Sequence, residues 1–294
     1  MRVTIFGATG LLGKALMREW TDDDLSGLGS KDADIRDPKQ ISNAIERTRP
    51  DWIILAAAYA DVDGCERNRE LAFEVNCHGA LNVAQAAKQF ASRLLFLSTD
   101  YVFDGAKTSP YETDDPRAPL NVYGWSKAEA EVQISQLLPE CCILRTSWLF
   151  GTGGKCFPDT ILNLAATRSA IDVVNDQRGS PTYAADLART VIQLCRASAK
   201  GIVHAVNCGS CSWFEFAREI VATARLTTTM VRPITSEHFV RPAQRPKYSV
   251  LSNKSLEKYG IEMPNWHDAL GRYLLERTSI SRREPSDALP GTLR

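Results

Sequence analysis

Tyr123 and Lys127 are the two side chains best suited to chemistry, and they stand four residues apart. On an α-helix this spacing puts both on one face, about one turn from each other. A tyrosine with its usual pKa of ~10 relays protons poorly at neutral pH. A neighbouring ammonium group favours the phenolate and lowers that pKa. The pair therefore predicts a proton donor, although the same spacing also arises by chance on exposed helices.

A hydroxyl group at a strand end strengthens this prediction. The apolar run at 93–97 leads into Ser98, Thr99 and Asp100. In open α/β sheets, ligands bind outside the carboxyl ends of the strands. A hydroxyl at this strand end can hydrogen-bond a substrate carbonyl while Tyr123 protonates its oxygen. Thr99, Tyr123 and Lys127 are the predicted catalytic residues.

A glycine-rich segment at 7–13 follows the first apolar run and precedes the first helical pattern. It has the form G-x-x-G-x-x-G, which permits a tight turn, a close approach of backbone to a pyrophosphate and close packing of helix on sheet. The free N–H groups of the helix start then face the phosphates. The sequence therefore predicts a dinucleotide site that contains Gly7, Thr9, Gly10, Leu11, Leu12 and Gly13.

The choice of dinucleotide depends on the end of the second predicted strand, 25–28. An acidic residue there commonly binds the ribose 2′-hydroxyl of NAD. Gly29 stands in that position, and Ser30 and Lys31 follow it as candidates for a 2′-phosphate. NADPH is therefore the expected cofactor, while the nearby Asp32 leaves NADH open. Asp34 and Ile35 complete the residues predicted to bind this end of the cofactor.

The elements that position these residues alternate along the chain. Continuous apolar runs predict strands buried on both faces, and the segments between them have helical periodicity. This alternation indicates a doubly wound parallel α/β sheet of the Rossmann type, with a smaller C-terminal substrate lobe. The predicted strands are 3–6, 25–28, 52–57, 93–97, 141–145 and 171–174, and the predicted helices are 11–20, 38–48, 72–90, 122–138, 184–196 and 213–224.

We predict two structural units, because the alternation of strands and helices becomes less regular near residue 150 and prolines become frequent after it. The dinucleotide-binding unit comprises 1–150 with 170–208. The substrate-binding lobe comprises 151–169 with 209–277. The remaining segment, 278–294, has few residues to bury and is predicted to be disordered.

Composition excludes several other classes of protein. Hydrophobic residues are 44% and charged residues 24%, which is typical of a globular chain. Lys plus Arg and Asp plus Glu are 35 each, so no nucleic-acid partner is expected. No run approaches ~18 apolar residues, so no membrane partner is expected. Without an apolar leader at the start, the expected location is the cytoplasm. Cys208-x-x-Cys211 lacks a second ligand pair, so we expect no metal and eight reduced thiols.

Several segments resemble the extended short-chain dehydrogenases/reductases, in particular the branch that forms dTDP-L-rhamnose; they are 6–10, 56–63, 75–76, 98–105, 119–124, 145–148, 175–183 and 245–249. The resemblance implies that NADPH reduces the C4 ketone of dTDP-4-dehydro-6-deoxy-L-mannose. Tyr123 would donate the proton, Thr99 would orient the ketone, and Lys127 would tune Tyr123 and bind the nicotinamide ribose.

The resemblance also implies further binding residues. Those for the cofactor are Ala56, Ala57, Ala58, Tyr59 and Asn76, besides Tyr123 and Lys127. Those for the substrate are Val62, Thr99, Asp100, Trp148 and Arg245, of which Trp148 would pack on the sugar and Arg245 would bind the diphosphate.

Three positions depart from the family pattern, and two other functions stay open. Ala15 replaces a glutamate that binds magnesium at a dimer contact in some members, so neither that metal nor that dimer is carried over, and a homodimer stays open. Leu55 and Gly29 are also unusual.

The alternatives are a nucleotide-sugar epimerase or dehydratase of the same fold, and a regulatory subunit like the β subunit of methionine adenosyltransferase.

Overall fold

The computed structural model describes residues 1–226 and 228–281. Its strands are β1 Arg2–Phe6, β2 Asp24–Leu28, β3 Trp52–Leu55, β4 Arg93–Thr99, β5 Cys142–Thr146, β6 Leu149–Phe150, β7 Ala170–Val174, β8 Arg178–Gly179, β9 Thr182–Tyr183, β10 Gly201–His204, β11 Cys211–Ser212 and β12 Met230–Ile234. Its α-helices are α1 Leu11–Glu19, α2 Pro38–Thr48, α3 Val62–Arg67, α4 Arg69–Phe73, α5 Ala80–Gln89, α6 Val122–Leu137, α7 Phe157–Ala165, α8 Ala184–Arg196, α9 Trp213–Thr223, α10 Lys254–Glu257 and α11 Trp266–Ser281.

A six-stranded parallel sheet forms the centre of the fold, in the order β10-β5-β4-β3-β1-β2. Its inner strands are apolar because helices cover both faces; all four residues of β3 are buried. On one face α1 and α8 pack through Leu16 and Val191. On the other, α2 and α6 contribute Ile41 and Ile134. The predicted doubly wound sheet is confirmed.

The strand order reverses between β1 and β3, because the chain runs from β1 outward to β2 and then crosses back to β3. Such a reversal opens a crevice at the carboxyl ends of the two strands, where ligands of this architecture bind. The glycine loop follows β1 at this point, and residues 56–59 follow β3. The fold therefore brings two predicted binding segments to one crevice.

A smaller lobe is built on three two-stranded sheets, β7 with β12, β8 with β11, and β6 with β9. Its core contains Phe150, Phe216, Trp266 and Tyr273. One boundary differs from the prediction, which assigned 170–174 to the dinucleotide-binding unit. This strand is β7, which pairs only with β12 within the described residues, and the sixth strand of the central sheet is β10. The reason is exposure: β7 carries the exposed Asp172, which no strand buried on both faces would accommodate.

The helix α11 contains the start of the segment that we predicted to be disordered. Residues 278–281 continue this helix, because Leu270 and Tyr273 are buried in the lobe core and hold it in place. Residues 282–294 lie outside the described part of the chain. Among the residues described, no helix is long and apolar enough to cross a membrane. All eight cysteines carry free thiols, and only Cys208 is exposed.

Candidate active site

The glycine loop is shaped by contacts that exclude side chains. Gly7 has φ 89° and donates its N–H to the Leu28 carbonyl over 2.8 Å, which turns the chain away from β1. A Cβ on Gly7 would lie 2.5 Å from the Ala57 nitrogen, and one on Gly13 would lie 2.1 Å from the Gly7 oxygen. Backbone therefore approaches backbone on both sides of the turn, as a phosphate-binding loop requires.

The start of α1 is free to bind an anion. Gly10 is its N-cap and offers no side-chain cap, so the N–H groups of Leu11, Leu12 and Gly13 are directed at the crevice rather than capped. The Leu12 side chain is buried in the sheet core, so only its backbone could contact a ligand. Thr9 is exposed at the rim of the loop. This cradle fits a pyrophosphate.

The end of β2 offers no carboxylate to a ribose. A Cβ on Gly29 would lie 2.8 Å from the Thr9 methyl group, so the Thr9 side chain occupies the space that an acidic residue would need. The Asp32 carboxylate accepts the Gly29 N–H over 2.8 Å and so closes its own turn. Ser30 and Lys31 are exposed beside it. This arrangement fits a 2′-phosphate better than a free 2′-hydroxyl.

Asp34 and Ile35 are engaged within the protein. Asp34 accepts three hydrogen bonds from the Arg36 guanidinium, two from Nε at 3.1 and 3.0 Å and one from Nη2 at 2.6 Å, and this arginine lowers the pKa of the carboxyl. Ile35 is buried against Gly79 in the core under α2. Both side chains therefore have partners within the protein, and neither is left free to bind a ligand in the crevice.

Asn76 joins the loop after β3 to the helix that carries Tyr123. Its amide accepts the Tyr59 N–H over 2.7 Å and donates to the Tyr59 carbonyl and to the Ser126 hydroxyl. Asn76 lies in the π-helical segment Glu74–Gly79 between α4 and α5. Such π segments are frequent at functional sites. Ala56 and Ala57 are half-buried in the same loop, and Ala58 is exposed.

The first turn of α6 is fixed by three polar contacts that we did not predict. Asn121 caps the helix by accepting the Gly124 N–H over 2.8 Å, and it donates to the Gln244 carbonyl. Glu66 of α3 accepts the Val122 N–H over 2.7 Å. A Cβ on Gly124 would lie 2.1 Å from the Tyr101 carbonyl oxygen, so this glycine lets α6 approach the end of β4.

Tyr123 adjoins Thr99 at the carboxyl end of β4, and Lys127 contacts the same strand at Leu97 and Phe96. Burial raises the pKa of Tyr123 above its usual value, and the adjacent Thr99 hydroxyl opposes that rise. Lys127 is buried, donates to the Leu97 carbonyl over 2.6 Å and stands 3.9 Å from the centre of the Phe96 ring. Burial lowers the pKa of Lys127 to about 7. The phenol is therefore protonated and able to donate at neutral pH.

Asp100 is a third titratable group beside this pair. It is 2% exposed and accepts the Thr99 hydroxyl over 3.1 Å. Burial raises its pKa to about 7, although hydrogen bonds from Ser249 and Thr99 favour the charged form. The negative charge of Asp100 also helps to keep Tyr123 protonated.

A cavity of about 940 Å³ opens at Tyr101, whereas Tyr123 and Lys127 do not line it. Tyr101 lines it and meets the Tyr123 ring edge to face, with centroids 5.9 Å apart. Of the residues predicted to bind substrate, Arg245 lies in the cavity wall, whereas Val62, Thr99, Asp100 and Trp148 do not. Other lining residues include Phe157, Gln177, Trp213, Phe239, Arg241 and Lys247.

Trp148 is packed behind the cavity wall. Its ring stacks on Trp213 at 3.5 Å between centroids, and a Cβ on Gly179 would lie 2.5 Å from it. Trp213, not Trp148, faces the cavity. Trp148 adopts a left-handed backbone conformation, φ 45°, between β5 and β6, and its local sequence carries no signal for the stacking on Trp213.

Asp63 holds the arginines of the cavity wall and was not predicted. It accepts hydrogen bonds from Arg241 Nε at 2.7 Å and Arg245 Nη1 at 2.8 Å. Burial alone would raise its pKa, but hydrogen bonds from Arg245 and from the Ala243 N–H outweigh burial and lower it to about 2. The sequence shows only that an acidic residue follows Val62 in a segment that the family resemblance includes, which does not indicate its arginine partners.

A phosphate-binding loop at a sheet crevice, with a tyrosine and a lysine one helical turn apart at the next strand ends, defines an oxidoreductase of the extended short-chain dehydrogenase/reductase class. The family model for the RmlD substrate binding domain matches residues 1–279. The chain belongs to this family.

Named relatives and a solved structure agree with this assignment. The chain is 39% identical over 280 residues to the spore coat polysaccharide biosynthesis protein SpsK of Bacillus subtilis, covering 95% of this chain and 98% of the relative. It is 39% identical over 297 residues to dTDP-4-dehydrorhamnose reductase of Mycobacterium tuberculosis, covering 97% of each. The crystal structure of dTDP-4-dehydrorhamnose reductase from Bacillus anthracis in complex with NADP has a TM-score of 0.90 and 40% identity, covering 94% of this chain and 99% of that one.

Proposed function

We propose that this chain reduces the C4 ketone of dTDP-4-dehydro-6-deoxy-L-mannose to dTDP-L-rhamnose with NADPH. The observation that carries the proposal is the position of Tyr123, which adjoins Thr99 on one side and the Tyr101 wall of the cavity on the other. The relatives named as dTDP-4-dehydrorhamnose reductases support the choice of substrate.

The two structural units have separate tasks in this proposal. The glycine loop, Thr9 and the start of α1 would hold the pyrophosphate, and Ser30 with Lys31 would hold the 2′-phosphate. Gly7, Gly13 and Gly29 lack the side chains that would block this cradle, which supports the fit. Residues 1–150, with α8 and β10, would bind the cofactor, and the lobe with β7 would bind the sugar nucleotide.

The proton step belongs to the side chains at the end of β4. When bound, NADPH supplies the hydride that adds to the carbonyl carbon. Tyr123 donates its proton to the carbonyl oxygen, and the Thr99 hydroxyl orients that oxygen. Lys127 stabilises the phenolate left on Tyr123 by its positive charge. Arg245, with Arg241 beside it, would bind the diphosphate at the cavity wall.

The test is NADPH oxidation with the 4-keto sugar nucleotide, with the product identified by NMR. Tyr123→Phe removes only the proton donor, so we expect kcat to fall by roughly 10²–10⁴-fold while the Kd of NADPH is unchanged. Tyr259→Phe, which alters a tyrosine bonded to Lys200 far from the site, is the matched control. Near-normal turnover of Tyr123→Phe would contradict the assigned role.

Two further assays distinguish the alternatives. Conversion of dTDP-glucose without added reductant would indicate a dehydratase or epimerase. A stoichiometric complex with methionine adenosyltransferase, without NADPH turnover, would indicate a regulatory subunit. The homodimer and the location in the cytoplasm stay predictions.

A further inference from the structure

Glu131 and Arg145 form a buried ion pair one helical turn after Lys127 of α6. Glu131 is four residues after Lys127, so the two side chains share one face of the helix. Arg145 of β5 binds the Glu131 carboxylate through Nε at 2.9 Å and through Nη2 at 2.7 Å, and both side chains are 0% exposed. Arg117 adds a contact of 3.3 Å from the rim.

On the side that faces away from Glu131, Arg145 contacts three uncharged groups. Its Nη1 stands 3.3 Å from His204 Nε2 and 3.3 Å from the Thr113 carbonyl, and its guanidinium lies 4.9 Å from the centre of the Phe103 ring. Burial and then the charge of Arg145 lower the pKa of His204 to about 3. The imidazole is therefore uncharged, and its Nε2 can accept a hydrogen bond from Arg145. The charge of this arginine is balanced by Glu131 alone among these neighbours.

Such a pair needs a reason other than stability. Replacing a buried ion pair by apolar side chains of similar volume is often neutral or stabilising, because both charges lose their hydration. The alternative is that the pair controls the charge of a neighbouring group. Lys127 is that group, because the proposed reaction uses its positive charge.

The groups that face Lys127 come from three elements. From β4 it receives the Leu97 carbonyl and the Phe96 ring, and from the π-helical segment it faces the Cys77 thiol. From its own helix it faces Glu131. Burial lowers the pKa of Lys127, and the negative charge of Glu131 is the larger of the two effects that oppose burial.

We propose that Glu131, held by Arg145, is a positioning residue that keeps the ammonium group of Lys127 charged beside Tyr123. The proposal rests on the proposed reductase function and adds two residues to it. Without Glu131, Lys127 loses the carboxylate on its face of α6 while the positive charges of Arg145 and Arg117 stay uncompensated there, which favours the neutral amine. Without Arg145 the charge of Glu131 is unbalanced and favours the ammonium form. Without both, the two effects largely cancel.

The experiment measures the pH profile of kcat/KM for Glu131→Gln, Arg145→Met and the double variant. Activity that requires a charged Lys127 falls as pH rises through the pKa of this lysine. We expect the midpoint of that fall to move about one pH unit lower in Glu131→Gln and about one unit higher in Arg145→Met. The double variant returns close to the wild-type midpoint. If Glu131→Gln does not fold, Arg145→Met and the double variant carry the same comparison.

Two controls separate this role from a structural one. Glu129→Gln removes a carboxylate from the exposed side of the same helix and should leave the midpoint unmoved. Thermal unfolding of each variant reports stability alone. Equal midpoints in all variants, with lower thermal stability in the single variants, would show that the pair only supports the fold, and the proposal would be wrong.

A second readout makes the test independent of turnover. NMR titration of ¹³Cε-labelled lysine, with the Lys127 signal assigned by Lys127→Met, reports the pKa of Lys127 directly. The same opposite shifts are expected, and an unchanged titration overturns the proposal. If the wild-type chain fails to oxidise NADPH with the keto sugar, the proposed function fails, while this titration still decides whether Glu131 and Arg145 control Lys127.

Discussion

Gly13 shows how little freedom single residues have in the cofactor loop. A methyl group there would lie 2.1 Å from the Gly7 oxygen and 2.5 Å from the Ala8 Cα, both backbone atoms that cannot rotate away. We expect Gly13→Ala to displace α1 from β1, to weaken NADPH binding by at least tenfold and to lower the melting temperature. Fluorescence titration with NADPH and thermal unfolding measure both effects.

Gly271 is the matched control for this substitution. It lies within α11, and a Cβ there meets no atom within 4 Å. Alanine is a better helix former than glycine, so Gly271→Ala should leave NADPH binding unchanged and raise stability by about 0.5–1 kcal/mol. Equal behaviour of the two variants would show that the loop tolerates a larger residue at 13.

Residues with a role in local geometry were predictable, and residues that need a distant partner were not. The glycines, Tyr123 and Lys127 act through turn geometry and helix spacing, both of which a short segment determines. Asp63 binds arginines about 180 positions further along the chain, so no local pattern indicates its partner. Trp148 was placed at the sugar by the family resemblance alone, and its stacking on Trp213 could not be predicted because Trp213 belongs to a distant helix.

At the scale of elements, α3 connects the cavity wall to the catalytic helix. Asp63 and Glu66 lie three residues apart, hence on one side of this short helix. Asp63 binds Arg241 and Arg245, while Glu66 accepts the first N–H of α6. The arginines of the cavity wall and the first turn of the helix that carries Tyr123 therefore share one support.

We expect Asp63→Asn to lower stability in a pH-dependent way. The folded pKa is about 2, below the usual 3.8, so this carboxylate contributes stability above pH ~4 that is lost as pH falls through 2. The free energy of unfolding should therefore be about 2 kcal/mol lower in the variant at pH 7, with a smaller difference at pH 3. Urea unfolding at both values measures it.

Asp22→Asn is the control for that measurement. It also removes a carboxylate paired with an arginine, but this side chain is 72% exposed. Exposed pairs contribute little, so the variant should match the wild type at both pH values. A loss in Asp63→Asn that does not change with pH would mean that packing, rather than charge, accounts for the effect.

Element bounds were predictable wherever the apolar pattern was continuous or strongly periodic. The helices 38–48 and 184–196 are observed with their predicted bounds. The short strand β10 was missed because its four residues give too little pattern, and β7 was placed in the central sheet because its apolar run resembles a core strand. The π-helical segment at 74–79 has no sequence signature that periodicity could reveal.

At the scale of the whole molecule, the last described helix is tied to the first. Glu276 of α11 binds Arg18 of α1 at 2.5 Å and accepts hydrogen bonds from Thr152 and from the Tyr183 hydroxyl. The helix that begins at the glycine loop is thus anchored to the lobe. A ligand on that loop should stabilise the entire chain as one cooperative unit.

We therefore expect NADPH to raise the melting temperature in a single transition. At 100 times its Kd, a ligand that binds only the folded state adds about 2.7 kcal/mol. NADH at the same concentration should give a smaller shift, because Ser30 and Lys31 have no 2′-phosphate to bind. Differential scanning calorimetry measures both. Equal shifts would argue against the NADPH preference, and two separate transitions would argue against cooperative coupling of lobe and sheet.

The contact between Thr9 and Gly29 has a consequence for protein engineering. In folds of this class an acidic residue at the end of the second strand binds the 2′-hydroxyl of NAD. A side chain introduced at Gly29 would place its Cβ 2.8 Å from the Thr9 methyl group. A redesign toward the unphosphorylated coenzyme therefore has to turn or shorten the Thr9 side chain as well as introduce the carboxylate.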